Sequence, residues 1–538
     1  MVDIKEKYKD LQPLPCGVQD FEKIRTNGLL YADKTDYVYK LANDLNGEVY
    51  FLGRPRRFGK SLFLSTLECY FNARKDLFEG LKIMDLEQKW VKYEVLRFDL
   101  SGCKTKAELE DRISNSLRFY ENRYEYEAID KTLGSRFITL IHTAAKLEQQ
   151  RVVILFDEYD SALQQTMYNE DEHEKMRDFY RSFFAVLKSE SHYIFKIFLT
   201  GIMKFTQLSL FSVLNNIKIL SANDEYAGVC GFTHDELRTY FKSHVERLAD
   251  SSEMTYEQAY QSIIDRYDSY SFSKNLTKVI NPYSLLNALV DCELNNYWTI
   301  SGSSKILMDT IDSGEHQMPN WDCEYMDKLS LEGNDADRRN LVLCLYQTGY
   351  LTIKKYEKEA QEYMLAAPNS EVKEAISKLL TPRLLEKDEN IVNNNISGFK
   401  RNFIYGDVEK AMLFLQTLVA GTPYSQDNTS KAIEERFQFI VMQVLFLCGF
   451  KPQAEVSIST GRMDIVCKTK WRNAIFELKM TSNGGLNAAS EQIVDRKYAV
   501  PFLSEDKELL TVAIEFDSAE KSLTRWKIKK IKKEKEDI

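Results

Sequence analysis

The sequence predicts an α/β multidomain protein, and three observations carry that prediction. Short aliphatic runs alternate with stretches of helical spacing through the first 230 residues, the pattern of a parallel sheet covered by helices. From Gly231 the spacing turns largely helical. Beyond residue 430 an apolar helix leads into two strands joined by a polar turn, which reads as a smaller α/β unit. At roughly 150 residues per domain, a 538-residue chain needs several cores. We therefore expect a doubly wound sheet domain over 1–230, a helical middle over 231–420 and a second α/β domain over 421–538.

Taken in order, Glu48–Leu52 is rich in strand formers, and Leu62–Phe71 has helical spacing. Between them stands Gly53-Arg-Pro-Arg-Arg-Phe-Gly-Lys-Ser61. Gly59, Lys60 and Ser61 would close a phosphate-binding loop: backbone N–H groups and the helix N-terminus cradle phosphates, Lys60 reaches the β and γ groups, and Ser61 ligates magnesium. The full pattern places glycine six residues before the lysine, where this chain has Arg54. A basic turn ending in a helix N-cap would read the same way. A second segment tips the balance, because Arg151–Phe156 is a continuous aliphatic run ending in Asp157 and Glu158. Such a run suits a buried parallel strand whose C-terminal end lies at the ligand crevice. There Asp157 would bind magnesium and Glu158 would orient or deprotonate an attacking water. Val95–Ser101 and Tyr193–Leu199 read as further strands, and Thr200 after the latter is either a sensor of the γ phosphate or a turn former.

Thr233 to Glu236 forms a capping box opening an amphipathic helix, and the aromatic clusters that follow read as core and turns. The polar stretch Gly421–Lys431 is a linker candidate. Next come the helix Ala432–Phe450, ending at Gly449, and the strands Gly461–Cys467 and Asn473–Lys479. Glu477 and Lys479 share a strand face, and Asp464 on the neighbouring strand can meet them. Two carboxylates for a divalent metal plus an ammonium for phosphorane charge suit metal-assisted phosphodiester hydrolysis, with Gln492 on the following helix, Ala488–Tyr498, completing the set. A solvated strand face also carries alternating charge, but apolar Ile465, Phe476 and Leu478 between these charges favour a buried site.

Composition narrows the classes. Seventy-two basic against 81 acidic residues give −9, which excludes a polycation, and only 10 prolines and 22 glycines exclude a long disordered region. Nine scattered cysteines without C-x-x-C exclude a disulfide framework or zinc ribbon. With no apolar leader and no run of about 18 apolar residues, we expect a cytoplasmic protein without membrane contact. Residues 451–538 hold 17 basic and 14 acidic side chains, a balance of +3 that leaves −12 for the rest. Lys521–Ile538 holds eight basic against three acidic residues and reads as a frayed terminal helix or strand, with nucleic-acid attachment as a secondary expectation.

Together these segments resemble a family of predicted proteins with an N-terminal AAA-ATPase-like P-loop domain and a C-terminal PD-(D/E)XK nuclease-superfamily domain. The resemblance rests on Tyr31-Ala-Asp-Lys-Thr35, the basic loop Arg54–Ser61, Leu155–Asp160, Leu199-Thr-Gly201, Phe211–Asn216 and Asn281–Ser284. In the C-terminal part it rests on Gly461–Asp464, Phe476–Lys479, Glu491–Ile493 and Tyr498-Ala499. It implies a restriction-endonuclease-like fold for 421–538 and a lid or winged-helix-like middle. It implies ATP and Mg2+ binding around Arg56, Arg57, Lys60, Ser61 and Asp157, with Glu158 as catalytic carboxylate. It also implies a nuclease-like site at Asp464, Glu477 and Lys479, with Glu434 as an outer metal ligand. Two departures stand out: Ser269 where relatives tend to have glycine, and Gln438 where a histidine is common. The expected function is an ATP-binding and ATP-hydrolysing protein coupled to a magnesium-dependent nuclease-like domain acting on DNA or RNA. The alternatives are an ATP switch whose C-terminal domain binds nucleic acid or protein without cleavage, and a slowly turning signalling ATPase. A homo-oligomer supplying an arginine finger is open to such a chain.

Overall fold

The computed structural model describes residues 4–45, 47–167, 169–204, 217–298, 308, 321, 323–333, 341–420, 430–458, 461–505, 507–517, 519–520 and 522–531. The Phe211–Asn216 motif, most of the Gly421–Lys431 linker and residues 532–538 of the basic tail lie outside them. The chain forms two compact units, Met1–Lys373 and Glu374–Ile538.

In the first unit, strands β1 (Val49–Gly53), β2 (Val95–Asp99), β3 (Val152–Asp157), β4 (Ile194–Gly201) and β5 (Lys218–Ile219) form a parallel sheet in the order β2-β3-β4-β1-β5. The aliphatic runs become strands because they are covered on both faces: β1 and β3 are buried at every position. Phe98, Phe137, Phe156 and Phe183 fill the core beneath helices Lys106–Arg123, Leu133–Leu147 and Glu170–Ser189. The strand order has one consequence for function. It inserts β4 between the strand that leads into the basic loop and the strand that ends in Asp157, so Thr200 comes beside both.

Residues 231–373 belong to this same unit. Thr233 and Glu236 make the expected capping box, opening helix His234–Tyr240, and Lys242–Ser251, Tyr256–Tyr267 and Pro282–Asp291 pack with it around Leu237, Phe241, Ile263 and Leu285. The region expected to be helical also contains a three-stranded antiparallel sheet, β6 (Glu324–Asp327), β7 (Thr352–Glu357) and β8 (Glu362–Ala366), in the order β6-β8-β7. Strands of four to six residues are too short to impose their period of two on flanking helices.

Ser269 sits at φ 78°, in the turn that follows helix Tyr256–Tyr267. That left-handed conformation costs a side chain about 1–2 kcal/mol, and glycine avoids the cost. Ser269→Gly is therefore expected to raise the urea midpoint, with a gain on the order of 1 kcal/mol. An unchanged or lower midpoint would refute this reading of the turn.

In the second unit, β9 (Lys451–Ile458), β10 (Gly461–Lys468), β11 (Arg472–Met480), β12 (Glu508–Asp517) and β13 (Ser522–Ile531) form a mixed sheet in the order β13-β12-β11-β10-β9. Only the β11–β12 pair is parallel. Helices Glu389–Tyr405, Val408–Val419 and Ser430–Leu447 share one core with Ile465, Phe476 and Val512. Helix Gly485–Asp495 packs on the other side with Val466, Ile475 and Ala513. The unit boundary thus falls at 373/374, and helices expected to belong to a middle domain ending at 420 are built into the C-terminal core. Their apolar stripes, such as Phe399, Phe403, Leu415 and Leu418, are covered by this sheet. The basic segment after Lys521, left open between helix and strand, enters the sheet as outer strand β13.

Candidate nucleotide and metal sites

The basic loop runs from the end of β1 into helix Lys60–Phe71. Gly59 forms the N-cap at φ 96°, a conformation that opens the turn and would strain any side chain. Lys60 is 5% exposed, and its Nζ donates to the carbonyls of Arg54 (2.9 Å) and Pro55 (3.0 Å). Burial lowers its pKa, although the nearby charge of Glu158 opposes that shift. A cleft of about 680 Å³ opens over the loop, and Arg56, Arg57, Lys60, Ser61 and Glu158 line it with Tyr283. The Arg57 guanidinium lies 4.0 Å over the Tyr283 ring. Gly59 lines the cleft as well.

Arg54, the residue that replaces the pattern's glycine, points away from this cleft. It is 1% exposed, and its Nη1 donates to the carbonyls of Gly53 (2.9 Å) and Ser221 (2.7 Å) while Nη2 reaches Tyr226 O (3.3 Å). Its guanidinium also stacks 4.4 Å over Phe272. The arginine thereby ties the loop to the chain after β5 with hydrogen bonds that glycine cannot make. Arg54→Gly is expected to take a donor from each of three carbonyls, of which Tyr226 O keeps the Val229 amide, and to cost about 2–4 kcal/mol in urea unfolding. Wild-type stability in that variant would show that the arginine is dispensable.

Asp157 and Thr200 lie at the strand ends beneath the cleft. Asp157 is 3% exposed; its Oδ1 accepts the Thr200 hydroxyl (2.5 Å) and its Oδ2 pairs with Arg97 Nη2 (3.4 Å). Arg97 also bonds Glu68 at 2.8 Å. Thr200 Oγ1 in turn accepts the Glu158 amide at 3.2 Å, so its bonds are to the acidic pair. Glu158 takes φ 48°, and burial raises its carboxyl pKa. Two further residues shape the site. Asp160 is buried and its Oδ2 accepts from the amides of Ile202 (2.9 Å) and Met203 (2.6 Å). A Cβ at Gly201 would come within 2.7 Å of Asp160 Oδ1, so this close approach demands glycine. Arg97 was missed from sequence, and the available signal was a charge inside the apolar run Val95–Asp99. In the Tyr31–Thr35 motif, Asp33 accepts from the Thr35 amide locally and from the Lys82 amide across the chain, while Lys34 lines the cleft and pairs with Glu236 at 2.6 Å.

In the second unit the β10–β11 register aligns Ile465 with Phe476, which sets Asp464 opposite Glu477. Glu477 is fully buried, and neither of its oxygens has a hydrogen-bond partner; Lys479 Nζ stands 3.3 Å from Oε1. Burial, and then the Asp464 charge, pushes the Glu477 pKa up to about 8. Asp464 Oδ2 accepts the Leu478 amide at 2.8 Å, and burial raises its pKa too. Lys479 also reaches Glu434 Oε1 (3.4 Å), so the ammonium links Glu434 to Glu477. The second Glu434 oxygen accepts from the Met480 amide and Asn483, each at 3.3 Å. Gln492, on a helix that runs Gly485–Asp495 rather than Ala488–Tyr498, donates to Tyr498 OH at 2.9 Å, and that hydroxyl donates to Arg462 O at 2.5 Å. Gln438 donates to Asp464 O (2.9 Å) and Glu455 (3.0 Å).

Among the described residues no group of three or more His, Cys, Asp or Glu side chains is arranged to hold a metal ion. What the fold does bring together is the pair Asp464–Glu477 with Lys479. One ammonium, shared with Glu434, faces the fully buried Glu477 carboxylate and its neighbour Asp464, and the negative charge that it leaves unbalanced fits a divalent metal.

The basic loop on a parallel sheet and the carboxylate–lysine cluster on a mixed sheet are two separate candidate sites, and each lies in a segment that matches a known family. Residues 15–211 match the family model described as predicted AAA-ATPase, and residues 432–526 match the PD-(D/E)XK nuclease superfamily. An uncharacterized protein in the vnfD 5' region of Azotobacter chroococcum mcd 1 is 26% identical over 525 residues, which is 96% of this chain and 99% of the relative. Among the described residues no helix is long and apolar enough to cross a membrane.

Proposed function

We propose that the chain binds and hydrolyses ATP in its first unit and uses that cycle to control a magnesium-dependent phosphodiester-cleaving site in its second, acting on DNA or RNA. The observation that carries the reading is the buried Glu477 carboxylate, without a hydrogen bond and set opposite Asp464 beside Lys479, on the same chain as a basic loop with Asp157 and Glu158. Lys60 and the loop amides bind phosphates, Arg56 and Arg57 flank them, and Ser61 and Asp157 are the oxygen donors for the nucleotide's magnesium. Thr200 holds Asp157 and the Glu158 backbone in place, which leaves the Glu158 carboxyl, itself lining the cleft, to take a proton from water. In the second unit Asp464 and Glu477 would hold magnesium, with Glu434 reached through Lys479. Bound there, the ion supplies Lewis acidity at a phosphoryl oxygen. Lys479 stabilises charge on the phosphate, and Gln492 orients Tyr498 beside the pair. The nine unpaired cysteines fit a reducing, cytoplasmic setting.

A second reading, in which the C-terminal unit binds nucleic acid without cutting it, is favoured by one observation. Gln438 occupies the place where a histidine is common and spends its amide on Asp464 O and Glu455. One assay decides: magnesium-dependent cleavage of DNA and RNA, with and without ATP, by wild type, Lys60→Ala and Asp464→Ala. Cleavage lost in Asp464→Ala and altered by ATP only when Lys60 is present supports the coupled enzyme. No cleavage, or cleavage that survives Asp464→Ala, rejects it.

A further inference from the structure

The sheet of the second unit carries a row of side chains that extends beyond the acidic pair. Register aligns Glu477 with Ala513 and Ala513 with Lys527, so the three share a face. Lys527 therefore stands two strand spacings, roughly 10 Å, from Glu477. Thr511 aligns with Lys529, and Ile531 follows on the same side, where it packs with Val466 and Ala513. Helix Gly485–Asp495 covers only part of this face. Between its C-terminal end and strands β12 and β13 lies a groove of about 230 Å³, lined by Val494, Lys497, Val500, Ala513, Lys527 and Lys529.

Three properties of the groove point to an extended polyanion. Its floor is apolar yet open: Val494 is 58% and Val500 57% exposed. Among the described residues Lys497, Lys527 and Lys529 pair with no carboxylate, whereas Arg525 pairs with Glu515, and Lys530, on the opposite face, pairs with Glu508. Ser490 adds a buried hydroxyl without a hydrogen-bond partner to the same lining. Lysines on an outer strand can serve only to block edge-to-edge pairing. That purpose does not account for Lys497, which comes from a different element and faces the same groove. Lys527 and Lys529, alternate residues of one strand, stand roughly 7 Å apart, far enough to meet separate phosphates.

We propose that this groove holds the sugar–phosphate backbone of a nucleic-acid strand and leads it toward Asp464 and Glu477. The inference rests on the nucleic-acid reading given above and adds to it the surface that engages the polymer. The test is fluorescence anisotropy of the full chain with labelled single-stranded DNA or RNA, in EDTA so that binding is read apart from cleavage, over a series of salt concentrations. The triple variant Lys497→Gln, Lys527→Gln, Lys529→Gln is expected to bind roughly 10- to 100-fold more weakly, with a salt slope lower by about 2, since each phosphate contact on a single strand contributes about 0.7. Lys530→Gln should match wild type, and the circular dichroism spectrum and urea unfolding of the triple variant should match too, which confirms its fold. Wild-type affinity and slope in the triple variant would overturn the groove while leaving the nuclease reading standing. Polyglutamate competing as well as nucleic acid would assign the groove to an acidic polypeptide and overturn it also. Lysine-dependent binding without cleavage in magnesium would sink the nuclease reading and keep the groove; a wild-type chain that binds no nucleic acid would reject both.

Discussion

Replacing Lys60 with methionine is expected to abolish the stabilisation that ATP confers while changing the stability of the nucleotide-free protein little, because the desolvation cost removed offsets the two hydrogen bonds lost. Lys60 is 5% exposed and its ammonium rests on two neutral carbonyls, those of Arg54 and Pro55. Burial lowers its pKa, which means that the charged form pays for desolvation without a carboxylate in direct contact. Methionine keeps the stem and removes the charge. Phosphate reverses the balance, because each charge-assisted hydrogen bond contributes about 1.5–3 kcal/mol. Losing two weakens ATP binding roughly 10²- to 10⁴-fold, at tenfold per 1.4 kcal/mol. At an ATP concentration 100 times the wild-type Kd, a gain of about 2.7 kcal/mol should disappear from thermal unfolding of the variant. A Lys60→Met protein that keeps the shift, or that is strongly destabilised without nucleotide, would refute this role.

Glu477→Gln should separate stability from activity in the second unit. Both Glu477 oxygens are buried without hydrogen bonds, and Asp464 opposes them across the strand pair. With its pKa pushed up to about 8 by burial, Glu477 must take up a proton on folding at neutral pH, and an amide of the same shape removes that cost. The metal-free variant is therefore expected to be more stable than wild type by about 1–3 kcal/mol at neutral pH. Magnesium-dependent cleavage should fall by roughly 10²-fold or more, because a lost metal ligand forfeits several kcal/mol of transition-state stabilisation. Added magnesium should raise the melting temperature of wild type and not that of Glu477→Gln. Lower stability of the metal-free variant would assign the carboxylate a structural role and count against the metal site.

Much of both sites was legible because local sequence specifies local conformation. Strand β3 reads directly from Val152–Asp157, since a strand buried on both faces must be aliphatic throughout. Gly59 before Lys60 marks a left-handed turn into a helix, and Glu477 two residues from Lys479 marks a shared strand face. Thr233 and Glu236 announce their capping box in the same way. The role of Arg54 was not legible, because its partners Ser221, Tyr226 and Phe272 lie more than 160 residues away in the chain. Arg97 beside Asp157, and the Lys527 row beside Glu477, depend on strand order and register, which pairwise sequence patterns do not encode.

The unit boundary divides along the same line. Residues 389–419 show helical periodicity, but periodicity states only that an apolar stripe must be covered, not by which sheet. Packing assigned that stripe to the C-terminal core. From its sequence alone this chain declared two candidate constellations and the residue types that compose them, because turns, strand faces and caps are set within a few residues. The tertiary structure decided which charges are hydrogen-bonded and which are buried without such a bond, since burial and long-range contacts arise only when distant segments share a core.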